Sequence, residues 1–313
     1  MHETKIVFLG TSCSTPTKGR NLSSVALRRE GEWILFDCPE GTQRQMMASG
    51  VSYMKIQHIF ISHFHGDHFL GLPGLLATMS MHGRDYPLFV YGPKGVEAWV
   101  KKAIEMSMLR VNFEIKCIEV GKKGAVLEAE GFTVRAFPLK HEVPCYGYVY
   151  EENGKAGEFV RAKAEALGIP EGPLWSKLQK GETVKAKTKG GKGGAKMKTF
   201  RPEQVMDYSK ARTGKKLAIV WDTLPNKSYY SAIKGADVLV HESSFMEKLK
   251  SRAIETRHST AQQAGKTAAE TDAKRLFLIH ISPRHKDAKK MENEARAEFG
   301  DVTVAEDLME IEL

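Results

Sequence analysis

The 313 residues contain four cysteines, with no C-x-x-C pair, and no run approaches the roughly 18 consecutive apolar residues a membrane span needs. Cys13, Cys38, Cys117 and Cys145 are scattered, which argues against a disulfide framework and for thiols in a reducing compartment. The opening stretch MHETKIVFLG lacks both a long apolar segment and a small-residue cleavage site, so a cytoplasmic, membrane-free chain is expected. A phosphate-binding P-loop is also missing. The GGKGG stretch at 190–194 lacks the G-x-x-x-x-G-K-[ST] spacing, and no strand precedes it. Acidic residues are too few to balance the basic ones, 38 against 47, for a net charge of +9.

That charge is uneven. Residues 177–198, KLQKGETVKAKTKGGKGGAKMK, hold eight lysines and one glutamate, so +7 lies there and only +2 elsewhere. A nearly neutral body with one cationic appendage suits a polyanion partner, although a solvated lysine loop has the same composition. Apolar residues make up 42% of the chain, enough to bury a large core without crosslinks.

Short apolar strands alternate with turn signals through the first 150 residues: KIVFLG, SSVALRR, EWILFD, IQHIFIS, PLFVYG, FEIKCIEV, FTVRAFPL and YGYVYE. Helical spacing appears in PEGTQRQMMAS, LPGLLATMSMH and GVEAWVKKAIEMS. Residues 153–200 turn rich in Gly, Lys and Ala, and read as an inserted basic arm. Order returns with KKLAIVWDT, ADVLVHES, STAQQAGKTAAETDA and RLFLIHIS. One α/β domain over 1–313 is expected, with strands in two sheets, helices outside, and 153–200 inserted within it.

Residues 63–68 read His-Phe-His-Gly-Asp-His, directly after an apolar strand. Imidazole and carboxylate at this density suit zinc and its divalent neighbours, and Gly66 permits a tight backbone path. The cluster offers ligand pairs for two adjacent metals. Further candidates stand where other apolar strands end: His141 after RAFPLK, Asp222 after LAIVW and His280 after LFLI. A lone histidine at any of these places also fits a satisfied core residue; recurrence of the strand-end context favours ligation.

The cluster matches the H-x-H-x-D-H signature of the metallo-β-lactamase superfamily, whose fold is an αββα sandwich. Other segments resemble one branch of it, the ribonuclease Z family of tRNA 3′-processing endonucleases. PTKGRN at 16–21 matches the P-x-K-x-R-N loop of that family, and HST at 258–260 its H-S-T motif. HESS at 241–244 resembles its H-E-A-T motif with the last two residues changed. GIPEGPLWSKLQKG at 168–181 is similar to the Gly-Pro tip of its flexible tRNA-binding arm.

The resemblance implies two zinc ions, with manganese or iron as alternatives. His63, His65 and His141 would hold one ion and Asp67, His68 and His280 the other, with Asp222 bridging. It further implies Asp67 as proton acceptor and His258, oriented by Glu242, as general acid. The alternative for Glu242 is a surface ion pair. Lys18, Arg20 and Asn21 would lie near the tRNA 3′ end, while Gly172, Pro173, Lys177 and Lys180 would belong to the arm tip. Precursor tRNA is the implied substrate, and a homodimer the implied assembly, the arm of one subunit serving the other. A thioester or lactone hydrolase on the same scaffold explains the metals but leaves PTKGRN and the lysines without purpose. An RNA-binding member with a dead site expects gaps among the ligands, and none is missing.

Overall fold

In the strand Lys5–Gly10, Ile6 and Phe8 face one cluster of buried side chains while Val7 and Leu9 face another, all fully enclosed. A strand covered on both faces belongs to the middle of a layered structure. The same alternation recurs in the strand Lys216–Val220, where Leu217 and Ile219 face inward and Ala218 and Val220 outward. The computed structural model describes residues 4–121, 124–154, 157–187, 197–211 and 213–313. The GGKGG stretch and the rest of 188–196 lie outside the described residues.

Two seven-stranded sheets result. The first runs Glu310–Glu312, Lys5–Gly10, Ser24–Arg29, Glu32–Phe36, Ile56–Phe60, Leu88–Gly92, Ile115–Glu119. Its neighbours pair antiparallel as far as Glu32–Phe36 and parallel beyond. The second runs Val302–Val304, Leu276–Ile279, Val238–Glu242, Lys216–Val220, Cys145–Glu152, Phe132–Leu139, Gly124–Ala129, its first four strands being parallel. Between the sheets lies a core of Phe8, Phe36, Phe60, Tyr148, Ile219, Trp221 and Phe277, among others.

The outer faces are covered by helices. Leu72, Leu75, Leu76 and Met79 of the helix Leu72–Met81 pack on the first sheet with Val96 and Val100 of Val96–Met106. Ala261, Ala264 and Ala268 of Ala261–Glu270 pack on the second with Met291 and Ala295 of Ala288–Arg296. These two helices approach so closely that a Cβ on Gly265 would stand 2.5 Å from the Ala295 carbonyl oxygen. The layers are helix, sheet, sheet, helix: the αββα sandwich. Among the described residues no helix is long and apolar enough to cross a membrane.

The chain divides into two compact units, one of Met1–Glu151 with Lys216–Leu313 and one of Glu152–Lys215. The second has its own core of Ala164, Ile169, Leu178, Val184, Ala186, Phe200 and Val205. It carries the helices Arg161–Ala166 and Pro173–Gln179 and an antiparallel ladder of Val184–Lys187 with Met197–Phe200. In that ladder Val184 and Ala186 are buried while Lys185 and Lys187 point to solvent, the period of two expected of a half-covered strand.

Candidate metal centre

The parallel strands of the second sheet end along one edge, and chemistry-bearing residues follow directly. Asp222 comes two residues after Lys216–Val220, Glu242 closes Val238–Glu242 and His280 follows Leu276–Ile279. His141 follows Phe132–Leu139. From the first sheet, Asp37 follows Glu32–Phe36 and His63 follows Ile56–Phe60. Gly66 then opens a short helix, Gly66–Phe69, which lifts Asp67 and His68. Groups placed outside the carboxyl ends of parallel strands face a crevice, the usual ligand position of such sheets.

Ligand-capable atoms of His63, His65, His141 and Asp222 lie within 4.8 Å of one another, as do those of Asp67, His68 and His280. His65 Nδ1 is 3.0 Å from His63 Nε2 and 3.2 Å from His141 Nε2. His68 Nε2 is 3.2 Å from His280 Nε2. Asp222 Oδ2 stands between the two sets, 3.7 Å from His63 Nε2, 3.8 Å from His141 Nε2 and 3.5 Å from His68 Nε2. Asp67 Oδ2 is 3.5 Å from His280 Nε2 and 3.7 Å from His68 Nε2. Zinc–nitrogen bonds of about 2.0–2.1 Å put tetrahedral neighbours about 3.3 Å apart, so both sets have the right spacing.

The other ring nitrogens are occupied. His68 Nδ1 is 2.7 Å from Asp37 Oδ2, and His63 Nδ1 is 2.9 Å from Ser62 Oγ. His141 Nδ1 is 3.1 Å from the Arg257 carbonyl oxygen, and His280 Nδ1 is 2.9 Å from Ser244 Oγ. His63, His68, His141 and His280 are thus each anchored through one nitrogen and present the other to the centre, as metal-binding histidines do. Asp222 Oδ1 is buried and accepts no hydrogen bond, with His280 Nδ1 3.3 Å away as a charge neighbour, and a cation would satisfy it. The donor set fits two divalent ions.

Asp37 had no sequence signal. It is fully buried, accepts from the Ser62 amide at 2.6 Å and the Ser62 hydroxyl at 2.7 Å, and holds His68. Asp37, Arg257, His280 and Ser14 all adopt left-handed φ, between 56° and 59°, although none is glycine. Each such residue costs about 1–2 kcal/mol, and their concentration here marks where the fold is bent to serve the site.

Beside the centre stands His258, its Nδ1 3.4 Å from Glu242 Oε1 and 3.9 Å from Asp222 Oδ2. Glu242 is fully buried, not a surface ion pair. It accepts from the amides of Ser259 at 2.6 Å, Ser244 at 2.9 Å and Thr223 at 3.3 Å. Ser259 Oγ donates to the Thr223 carbonyl at 2.8 Å. Thr260 caps the helix Ala261–Glu270 through a reciprocal box with Gln263. Ser259 and Thr260 therefore anchor the segment that presents His258. The changed tail of HESS keeps a hydroxyl where it is used: Ser244 Oγ lies 3.0 Å from Glu242 Oε2, 3.3 Å from His258 Nδ1 and 2.9 Å from His280 Nδ1.

Burial disfavours charge on His258, but Asp222 and Glu242 outweigh it and carry its pKa up to about 9. Burial likewise opposes charge on His68, and Asp222 and Asp37 carry it up to about 10. Free imidazole titrates near 6.5, so in the metal-free protein both contribute stability that is complete below about pH 6.5. That contribution is lost as pH climbs through 9 to 10. The melting temperature of chelator-treated protein is therefore expected to fall between about pH 6.5 and 9, and excess zinc to restore it, because metal replaces the protons. A melting temperature that stays level or rises over that interval would contradict this electrostatic picture.

The candidates for RNA contact fall in both compact units. Lys18 is exposed, but Arg20 turns inward, Nη1 donating to Thr11 Oγ1 and to the Ala305 carbonyl, both at 2.6 Å. Asn21 Nδ2 donates to the Glu40 carbonyl at 3.1 Å. Gly172, with φ 134°, and Pro173 open the helix Pro173–Gln179, and Lys177 and Lys180 are exposed along and after it.

The four layers and the twinned ligand sets define a metal-dependent hydrolase of the β-lactamase superfamily, and the beta-lactamase superfamily domain matches residues 32–160. The chain is 44% identical to a ribonuclease Z from Methanosarcina acetivorans, covering 99% of this chain and 98% of that one. It is 40% identical to a ribonuclease Z from Nitrosopumilus maritimus, covering 99% of each. The crystal structure of human tRNase Z, short form, superposes with a TM-score of 0.69 at 28% identity, covering 98% of both chains. The chain belongs to the ribonuclease Z family.

Proposed function

We propose that this protein is an endoribonuclease that cuts precursor tRNA just after the discriminator base, removing the 3′ trailer and leaving a 3′-hydroxyl on the tRNA. The observation that carries the reading is the convergence of two ligand sets on Asp222 with the buried Glu242–His258 pair against them. His63, His65 and His141 would hold one ion, Asp67, His68 and His280 the other, and Asp222 both. Zinc suits the donors, and manganese or iron would be accommodated. When bound, two divalent ions would supply a nucleophile at neutral pH and neutralise charge on the phosphoryl oxygens.

The chain's own groups do the rest. Asp67, whose pKa burial would raise but His280 and His68 bring far down in the metal-free protein, is ionised there, and it would accept a proton only from attacking water that is itself acidified. His258, protonated between its two carboxylates, is placed to give a proton to the departing ribose 3′ oxygen. Lys18 and the lysines of the unit Glu152–Lys215, Lys177 and Lys180 among them, would attract the tRNA backbone, with binding that weakens steeply with salt. Assembly as a homodimer, one subunit's inserted unit gripping the tRNA bound to the other, and a cytoplasmic location complete the proposal.

Mapping the cut on a 3′-extended tRNA, with and without chelator, tests it. Cleavage after the discriminator base that stops on chelation is expected. Hydrolysis of S-lactoylglutathione without RNA cleavage would favour the thioesterase reading. Deleting 155–198 should weaken tRNA binding yet spare bis(p-nitrophenyl) phosphate; equal loss of both would remove the separate role of the inserted unit.

A further inference from the structure

The segment from Thr11 to Asn21 leaves the first sheet and returns to it, exposed from Ser14 to Gly19. Its far end leans on the metal centre. The Ser14 amide donates to Asp67 Oδ2 at 2.8 Å. The Cys13 amide donates to the Ile281 carbonyl at 3.0 Å, and the Ile281 amide to the Thr11 carbonyl at 2.8 Å, directly beside His280. Two of the three residues in the second ligand set thus rest on this loop.

An eleven-residue excursion with six exposed residues needs an anchor to hold such a position, and a carboxylate near the end of the sequence supplies one. Asp307 Oδ1 accepts from Thr11 Oγ1 at 2.7 Å, and its Oδ2 from the Asn21 amide at 2.5 Å and Gln45 Nε2 at 2.9 Å. Thr11 and Asn21 are the loop's two feet, and the Thr11 and Ser12 amides both donate to the Asn21 carbonyl, at 2.9 and 2.8 Å. Gln45 Nε2 also donates to the Leu9 carbonyl at 2.7 Å, tying in the helix Thr42–Ser49. Arg20 closes the arrangement through Thr11 Oγ1 and Ala305. The fit is tight: a Cβ on Gly41, at φ +80°, would stand 2.4 Å from Asn21 Oδ1.

We infer that Asp307 is a positioning residue for the metal centre: by joining the two feet of the 11–21 loop it holds that loop against Asp67 and against the strand end bearing His280. This deepens the proposed reading of the same site, and it reassigns Arg20 and Asn21 from RNA contact to loop anchorage. A carboxylate is required because every group facing it is a donor. An asparagine has one acceptor oxygen: with it toward the Asn21 amide and Gln45, its NH₂ meets Thr11 Oγ1 and the Thr11 hydroxyl loses its acceptor, and turned the other way the NH₂ meets two donors.

Asp307→Asn, with Thr11→Val as a milder companion, tests the inference. Amide hydrogen exchange in metal-free protein is expected to rise on the order of tenfold within residues 11–21 and to stay unchanged in the core strands. Zinc titration should show one ion bound as in wild type and the other roughly 10–100-fold more weakly. Thr11→Val should move both readouts the same way by less, and it carries the test alone if Asp307→Asn does not fold. Wild-type exchange in the loop, wild-type affinity for both ions, or exchange raised uniformly over the chain would each overturn the inference. Failure of the wild-type protein to cut precursor tRNA would instead overturn the proposed function, because exchange and zinc binding are read without substrate.

Discussion

Asp222→Ala is expected to lower turnover of both precursor tRNA and bis(p-nitrophenyl) phosphate by roughly 10³-fold or more. Loss of a single preorganised donor to a transition state costs on the order of 10²–10³. Asp222 is more than that, since its Oδ2 lies within 3.8 Å of histidine nitrogens from both ligand sets. Its buried surroundings would favour the neutral acid, yet His280, His68 and His258 hold it well below the usual carboxylate range. Removing it leaves the two ligand sets with no shared carboxylate, only Asp67 remaining beside His68 and His280, so affinity for both ions should fall together. Metal content after dialysis is the companion measurement. A variant that keeps two ions and measurable turnover would show that Asp222 does not join the sets.

The strands and their end residues were legible because the sheets are covered on both sides. LAIVW and LFLI are nearly continuous apolar runs that stop at a candidate ligand, Asp222 and His280, and the six-residue cluster announces itself by density alone. Asp37 was not legible: a single aspartate after EWILF is an ordinary strand terminus until its neighbours in space, Ser62 and His68, are known. Asp307 is hidden for the same reason, since all three of its partners lie more than 250 residues away. Arg20 and Asn21 look like RNA contacts in a basic loop, but Arg20 Nη1 already donates to Thr11 Oγ1 and the Ala305 carbonyl, and Asn21 donates to Asp307 and the Glu40 carbonyl. The helix Ala288–Arg296 escaped because AKKMENEAR offers only Met291 and Ala295, with Ala288 partly buried, as an apolar stripe. In the unit Glu152–Lys215, lysines at alternate positions masked a strand whose inward residues are Val184 and Ala186.

His258→Ala is expected to slow cleavage of precursor tRNA by roughly 10²–10⁴-fold while leaving zinc content at the wild-type level. The discrimination lies in the leaving group. A ribose 3′ oxygen departs poorly unless protonated, whereas p-nitrophenolate needs no proton, so hydrolysis of bis(p-nitrophenyl) phosphate should change by only a few-fold. Glu242 sharpens the test, because Asp222 and Glu242 both raise the His258 pKa in the metal-free protein, and Glu242 would keep that role when ions occupy Asp222. With Glu242→Gln one of those carboxylates is gone, so the alkaline limb of the tRNA pH–rate profile should move to lower pH. The imidazole would still be steered by Ser244 Oγ at 3.3 Å, so the loss at neutral pH should be smaller than for His258→Ala. His258 also lies within ligand distance of Asp222 and His280. Loss of zinc from His258→Ala, with both substrates affected alike, would make it a ligand and leave the departing oxygen without an acid.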